Sequence, residues 1–499
     1  MIGTCVPRLN LPRPPPGRRR YGAGVREDLT AGLVSALEPV LGAVEVTALH
    51  RLTGGASRET WAFDAVDADG LVHELVLRRD PPGRPGPAGS MHLEATAMRL
   101  AEGAGVPVPE VLVDADEAAP WGSAGLVMRR VPGEALGRRL LRDERFAPAR
   151  RVLVRQCADA LARLHAVPAD QLADAPEHDP LDTMRALLHG FDEPVPTFEY
   201  ALRWLDRRRP DPTGRSIVHG DFRLGNLLVE PDGLRAVLDW ELLHVGDPAE
   251  DLGWLCVRAW RFGADAPVGG LGDRDELLAA YADAGGAPLS LDDLRWWEAY
   301  GTLRWGIICL TQVAAHLSGA VRSVELAAIG RRVAETEWDL LLLLAPSHAA
   351  AALVAADGAG PTTTAPPAVL HGRPTSLELV QAVREFLADR VVSETEGSMA
   401  YHGRVAANVL GMVERELARG PEPQQRRSSA LAGLGCADEA DLCAAIRSGT
   451  FDGRTDELVA ALAEGVVERV RVANPRYLAD GGHRSVGRRS DSGGVSAPG

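Results

Sequence analysis

Polar and apolar residues alternate along three stretches near the start of the chain, VTALHRL at 46–52, TWAFDAV at 60–66 and LVHELVLRR at 71–79, separated by the turn-rich segments TGGASR and DADG. A two-residue period turns one face of each stretch to a core and the other to water, so these are predicted strands of a small antiparallel sheet. Residues 27–43 before them carry apolar positions at helical spacing. After the Pro/Gly loop 81–89, MHLEATAMRLAEGAG sets Leu93, Ala97, Leu100 and Ala101 on one face and ends in glycine, which predicts a helix packed on that sheet. VPEVLVD and AGLVMRRV add two strands.

From about residue 134 the period changes to 3.6, most plainly in RVLVRQCADALARLHAVP, and stays largely helical to about 345 apart from short strands around 219–241. Residues 346–374 are rich in Ala, Pro, Thr and Gly without a period and read as a linker. Two helices follow, SLELVQAVREFLADRVV and YHGRVAANVLGMVEREL, the second with Val405, Val409, Val413 and Leu417 in i, i+4 steps. The expected class is α+β. A small antiparallel sheet lobe (27–132) and a helical lobe (133–345) are followed by a linker (346–372) and an independent all-α domain (373–480). The ends, 1–26 and 481–499, read as a disordered extension and tail.

A chain of 499 residues exceeds one ordinary core, and its 45% apolar and 25% charged residues are those of a globular protein. The net charge of −15 argues against a nucleic-acid binder, which needs a concentrated basic surface. Six scattered cysteines with no CxxC pair point to a reducing compartment. The start is basic and Pro-rich without the apolar run of a signal peptide, so the expected location is cytoplasmic. The most membrane-like segment, 340–356, is interrupted by Pro346, Ser347 and His348 and reads as a buried helix end, so no membrane association is expected.

HGDFRLGNLLVEPDGLRAVLDWE, residues 219–241, sets Asp221, Asn226 and Asp239 among apolar residues. Buried carboxylates are costly unless something charged or hydrogen-bonded meets them. A strand, a tight turn at Gly220 presenting Asp221, an asparagine five positions on, a strand RAVLDW and a second Asp at its end are the parts of a kinase-type phosphoryl-transfer site. In that reading Asp221 is the base, His219 buttresses its loop, and Asn226 and Asp239 hold Mg²⁺ across the phosphates of ATP. Downstream, Asp247, Pro248 and Glu250 spell a capping box.

HGD, Asn226 and LDWE together resemble the aminoglycoside phosphotransferase family, kinase-like enzymes that phosphorylate small molecules. The resemblance implies a protein-kinase-like bilobal fold. It implies that TGGASRET covers the nucleotide phosphates, with Gly54, Gly55 and Ser57 in contact. Arg78 then stands where the family usually carries a Lys, with Glu94 as its helical partner. Met128 to Arg130 would offer backbone groups to the adenine edge, and Asp251 would brace the catalytic loop. LVLRRDPPG is most similar to the branch related to the kinase portion of certain acyl-CoA dehydrogenase fusions, which implies a hydroxyacyl-CoA acceptor, and the segment after 373 resembles a helical domain of unknown function. A role in homo-oligomerisation or binding a protein partner is expected of it.

Trp240, Trp254, Trp260, Trp296, Trp297, Trp305 and Trp338 follow in the helical stretch, most of them expected as core, with Arg258, Arg261, Arg295 and Arg304 close in sequence, and a pocket lined by these types would suit an anionic or acyl acceptor. The leading expectation is an ATP- and Mg²⁺-dependent kinase of a small-molecule hydroxyl. Two alternatives stand beside it: a kinase-fold protein that binds nucleotide or acyl-CoA without turnover, and a kinase whose acceptor is an aminoglycoside antibiotic.

Overall fold

A computed structural model describes residues 23–52, 58–81, 90–116, 119–358 and 374–479. Gly54, Gly55 and Ser57, the terminal extensions up to residue 22 and from 480, and residues 359–373 of the expected linker lie outside the described residues. The chain divides into two compact units, one of residues 15–182 and 209–301, the other containing residues 183–208 and the chain from Thr302.

In the first unit the alternating stretches form one antiparallel sheet of five strands: β1 Val44–Arg51, β2 Glu59–Asp67, β3 Val72–Arg79, β4 Val111–Ala115 and β5 Gly125–Arg129, in the order β1-β2-β3-β5-β4. Trp61 faces Leu77 and Phe63 faces Leu75 across β2 and β3. The Ala23–Leu41 helix lays Leu29, Leu33 and Leu37 on the face that carries these residues and Val127. The neighbouring Leu126 points the other way and joins Met91, Ala95 and Met98 of the Ser90–Gly103 helix, as the pleat requires. Each fully buried large side chain of this kind contributes about 2 kcal/mol.

Helices Leu153–His165 and Arg274–Asp283 pack in the helical part of this unit, and their core residues join that second face in one cluster. Two short ribbons carry the HGD segment: β6 Ser216–Val218 pairs with β9 His244–Gly246, and β7 Leu227–Glu230 with β8 Gly233–Val237.

The second unit departs from the expected boundaries. Tyr200 of the Pro196–Arg207 helix, Trp338 and Leu341 of Val333–Leu344, Leu353 of Pro346–Gly358, and Leu458, Leu462 and Val466 of Thr455–Ala473 share one core. Residues 346–358 are therefore helix rather than linker. Ala345, Ala349 and Leu353 repeat at i, i+4, i+8 on the buried side, but alanine contributes so little to an apolar stripe that the period was hidden, although no residue favours a helix more. The 373 boundary likewise falls inside a shared core. The Gly397–Arg419 helix buries Ala400, Gly403, Ala407 and Gly411 instead of its valine stripe, and Leu417 is exposed. No described helix is long and apolar enough to cross a membrane, and 340–356 is split between two helices at Ala345.

Candidate active site

The geometry of the HGD segment starts from Asp251, a fully buried carboxylate in the Ala249–Cys256 helix. Its Oδ2 accepts the His219 N–H at 2.8 Å and its Oδ1 the Gly220 N–H at 2.9 Å. Burial alone would raise this carboxyl, but the hydrogen bond and charge of His165, 3.2 Å away, outweigh it and hold Asp251 below the usual range. The turn so pinned needs its glycine. Gly220 has φ +78°, and an added Cβ would stand 2.3 Å from the Leu242 carbonyl oxygen.

His219 is buried. Its Nδ1 accepts the Asp221 N–H at 3.1 Å while Nε2 lies 3.1 Å from the Leu238 carbonyl oxygen, which assigns the proton to Nε2. Asn226 holds the same residue from the other side, its carbonyl oxygen accepting the Leu238 N–H at 2.8 Å. Both backbone polar groups of Leu238 are thus tied to the HGD segment. The next residue, Asp239, adopts φ +68°, a conformation rarely taken by a residue with a side chain and one that the flanking bonds enforce.

Asp221 is 8% exposed, and three donors meet its carboxylate. Oδ1 accepts from Trp254 Nε1 and from Arg223 Nε, each at 2.9 Å, and Oδ2 from Asn226 Nδ2 at 2.6 Å. The Arg223 guanidinium lies 4.5 Å from the Trp260 ring centre, so the donor is itself held. Asn226 spends its nitrogen on Asp221, and among the described residues no donor meets its carbonyl Oδ1. That oxygen and the carboxylate of Asp239 suit a hard, oxygen-seeking cation. No group of three His, Cys, Asp or Glu that could hold a metal occurs among the described residues. A phosphate-bound Mg²⁺ needs only one or two protein carboxylates, so the pair fits it.

Arg78 joins the Glu94 and Asp239 sides of the site. Its Nη1 donates to Glu94 Oε2 at 3.0 Å, while Nη2 donates to Asp239 and to Glu241 Oε2 at 3.1 Å. Burial opposes its charge, but Glu94, Asp239 and Glu241 prevail and keep it protonated. Arg58, just before β2, is a second cation on Glu94, and its Nε lies 3.3 Å from Asp80 Oδ1. Burial lifts the Glu94 carboxyl above its ordinary value, and the two guanidiniums offset only part of that rise.

Other expectations fare differently. The Arg130 amide already donates to the Glu74 carbonyl at 2.9 Å and is no free donor for a base edge, while Met128 is paired on both sides within the sheet. The capping box does not form: Asp247 accepts from Thr213 and Ala249, and Glu250 meets His244 at 3.1 Å. Trp254, Trp260, Trp296 and Trp297 are at most 5% exposed and pack as core, and Arg261 donates to Glu298 and the Cys256 carbonyl. The sequence reading missed Arg58, Arg223 and Trp254 as partners of the acidic cluster. Only Arg223 carried a local signal, its place two residues after Asp221.

A five-stranded antiparallel sheet joined to a helical lobe, with an HGD turn and a second Asp on the following ribbon, defines a kinase-like phosphotransferase domain with an extra C-terminal helical region. The chain belongs to the Phosphotransferase enzyme family, which it matches over residues 48–300, and residues 393–477 match a domain of unknown function, DUF6285. It is 27% identical over 313 residues to acyl-CoA dehydrogenase family member 10 of Mus musculus, covering 57% of this chain and 28% of that protein. It is 28% identical over 195 residues to the aminoglycoside 3'-phosphotransferase of Streptomyces fradiae, covering 36% of this chain and 68% of that protein. The chain spans about a quarter to a third of the length of the acyl-CoA dehydrogenase relatives it matches. A crystal structure from Ralstonia eutropha assigned as an aminoglycoside phosphotransferase shares the fold, with TM-score 0.52 and 22% identity over 63% of this chain and 97% of that one.

Burial pushes the His219 imidazole below its ordinary value of 6.5 despite the nearby Asp251, Asp221 and Asp239. The unfolded imidazole takes up a proton as pH falls through about 6.5 while the folded one resists it, so the unfolded state binds more protons and stability falls. Urea midpoints are expected to drop between pH 7.5 and pH 5.5, with the NMR signals of His219 still those of a neutral ring at the lower pH. A His219 ring that titrates at 6.5 or above would contradict the assignment.

Proposed function

We propose that the protein transfers the γ-phosphate of ATP to a hydroxyl of a small molecule. The observation that carries this reading is the way His219 and Asn226 grip Leu238 and so hold Asp239 beside Asp221. Asp221 Oδ2 keeps a lone pair besides the one used by Asn226, and accepts the acceptor's hydroxyl proton. As the acceptor oxygen bonds to the γ-phosphorus, the bond from that phosphorus to the β–γ bridging oxygen breaks and ADP leaves. Mg²⁺, held by Asn226 Oδ1 and Asp239, would neutralise phosphate charge. His219 and Asp251 are positioning residues, and Arg78, anchored on Glu94, would exchange its bonds to Asp239 and Glu241 for the nucleotide phosphates, which Gly54, Gly55 and Ser57 would cover.

The acceptor we favour is a hydroxyacyl-CoA, supported by the likeness to proteins named for acyl-CoA dehydrogenation. Trp254, Trp260, Trp296 and Trp297 lend it no support, because they are core. The Streptomyces fradiae relative keeps an aminoglycoside as the alternative acceptor. A second reading, a nucleotide sensor without turnover, is favoured by one observation: Arg78 lies on Asp239, the carboxylate the metal would use. Screening hydroxyacyl-CoAs, aminoglycosides and small alcohols for ADP release separates the three. ATP binding without release for any acceptor selects the sensor.

Asp239→Ala is expected to abolish the Mg²⁺ dependence of ATP binding while leaving Mg²⁺-free binding nearly unchanged. Calorimetry with and without Mg²⁺ reads this directly, and an unaltered metal dependence would remove Asp239 from the metal site.

A further inference from the structure

The unit containing residues 183–208 and the chain from Thr302 holds a cavity of about 440 Å³, and none of its lining residues belongs to the Asp221 cluster. One wall is the end of the Pro196–Arg207 helix and Arg208 just beyond it. The other is the turn between the Glu439–Ser448 and Thr455–Ala473 helices. The floor is apolar: Ile446, Phe451 and Leu458 are at most 3% exposed, and Tyr200 is 9% exposed.

Three guanidiniums face this floor, against one carboxylate. Asp452 takes two bonds from Arg203, the Nε contact at 2.6 Å, and one from Arg207 Nη1 at 3.1 Å. Asp206, whose charge also reaches Arg203, is engaged by Arg185 at 3.0 Å. Arg208 is different. Its guanidinium stacks over the Trp204 ring at 4.9 Å, and it has no carboxylate partner among the described residues. Stacking fixes the plane of the guanidinium and leaves its N–H edge for an anion. A cavity with an apolar floor under a charged rim, near the lower end of the roughly 300–1,000 Å³ typical of ligand sites, suits a small molecule that is itself part apolar and part charged.

We propose that this cavity binds a small amphipathic anion, with a carboxylate or phosphate head on the edge of Arg208 and a flat apolar body against Trp204, Tyr200 and Phe451. Arg203 and Arg207 share the single charge of Asp452, which leaves a positive background. Arg208 lies within the span matched by the phosphotransferase family, whereas Phe451 and Asp452 lie within the span of unknown function. The site is therefore made by both matched regions, and gives the second one a ligand-binding role.

The test titrates the full-length protein with phenyl phosphate, benzoate and the uncharged benzyl alcohol, following tryptophan fluorescence and calorimetric heat. At least one anion is expected to bind about tenfold or more tightly than the alcohol, and which anion binds identifies the head group. Arg208→Ala should weaken that binding by about tenfold or more at an unchanged unfolding midpoint, because Arg208 is exposed. Trp204→Phe should keep the heat and lose the fluorescence change. The proposal is overturned if neither anion binds, if the alcohol binds as well as the anions, or if Arg208→Ala retains full affinity.

Discussion

Asp221→Asn is expected to lower turnover by about 10²- to 10⁴-fold, the usual size of general-base assistance, with ATP affinity and the unfolding midpoint little changed. The side-chain oxygen of Asn can still accept from Trp254 Nε1 and Arg223 Nε, so the surroundings of residue 221 lose charge rather than shape. The amide places an N–H donor where Oδ2 accepted, or faces Asn226 with one of its own kind, and either way no proton acceptor of carboxylate strength remains. The rate is read as ADP release with the acceptor that the screen yields. Near wild-type turnover would remove Asp221 from the chemistry.

Ending the chain after Gly358 is expected to unfold what remains of the second unit. The Thr455–Ala473 helix supplies Leu458, Leu462, Val466 and Val470 to the core that covers Trp338, Leu341 and Leu353. At about 1.5–3 kcal/mol for each large apolar side chain, losing four from one helix removes about 6–12 kcal/mol, comparable to the roughly 5–15 kcal/mol that holds a whole domain together. Arg469 adds a charged tie, with Nη2 donating to Glu337 Oε1 at 2.7 Å, and its removal strands a carboxylate that is 2% exposed. Circular dichroism and light scattering of the shortened chain should show lost helix and aggregation. An independent domain after residue 373, the expectation from the linker-like composition, predicts the reverse: an unchanged melting curve for the shortened chain.

The contrast shows where the sequence was informative. Asp221, Asn226 and Asp239 were legible because a turn, a five-residue step and a short ribbon place them together within 19 positions of sequence. The five strands were legible because period-two alternation is a local property. The Arg58–Glu94 and Trp254–Asp221 contacts, 36 and 33 residues apart, were not, since no periodicity records which side chains meet across a fold. The tryptophans misled for a related reason. Composition put arginines beside them, but whether an indole lines a pocket or fills a core depends on what packs over it, and here Arg261 turns away to Glu298. Alanine hid the last helix before residue 359, as composition overrode an i, i+4 repeat that was present throughout.

The Pro196–Arg207 helix carries a further implication, for the order in which the protein is made. Tyr200 in that helix packs with residues that follow roughly 240 to 270 positions later in the chain. At about 5–20 residues per second, the ribosome delivers that partner some 10–50 s after the helix has emerged. During that interval the sheet and its catalytic ribbons can complete their own contacts, while the apolar helix face is covered only in part, by Trp338 and Leu341. Slowing synthesis anywhere between 210 and 440 lengthens the wait, so the nascent chain is most in need of a chaperone while its catalytic segments are already complete.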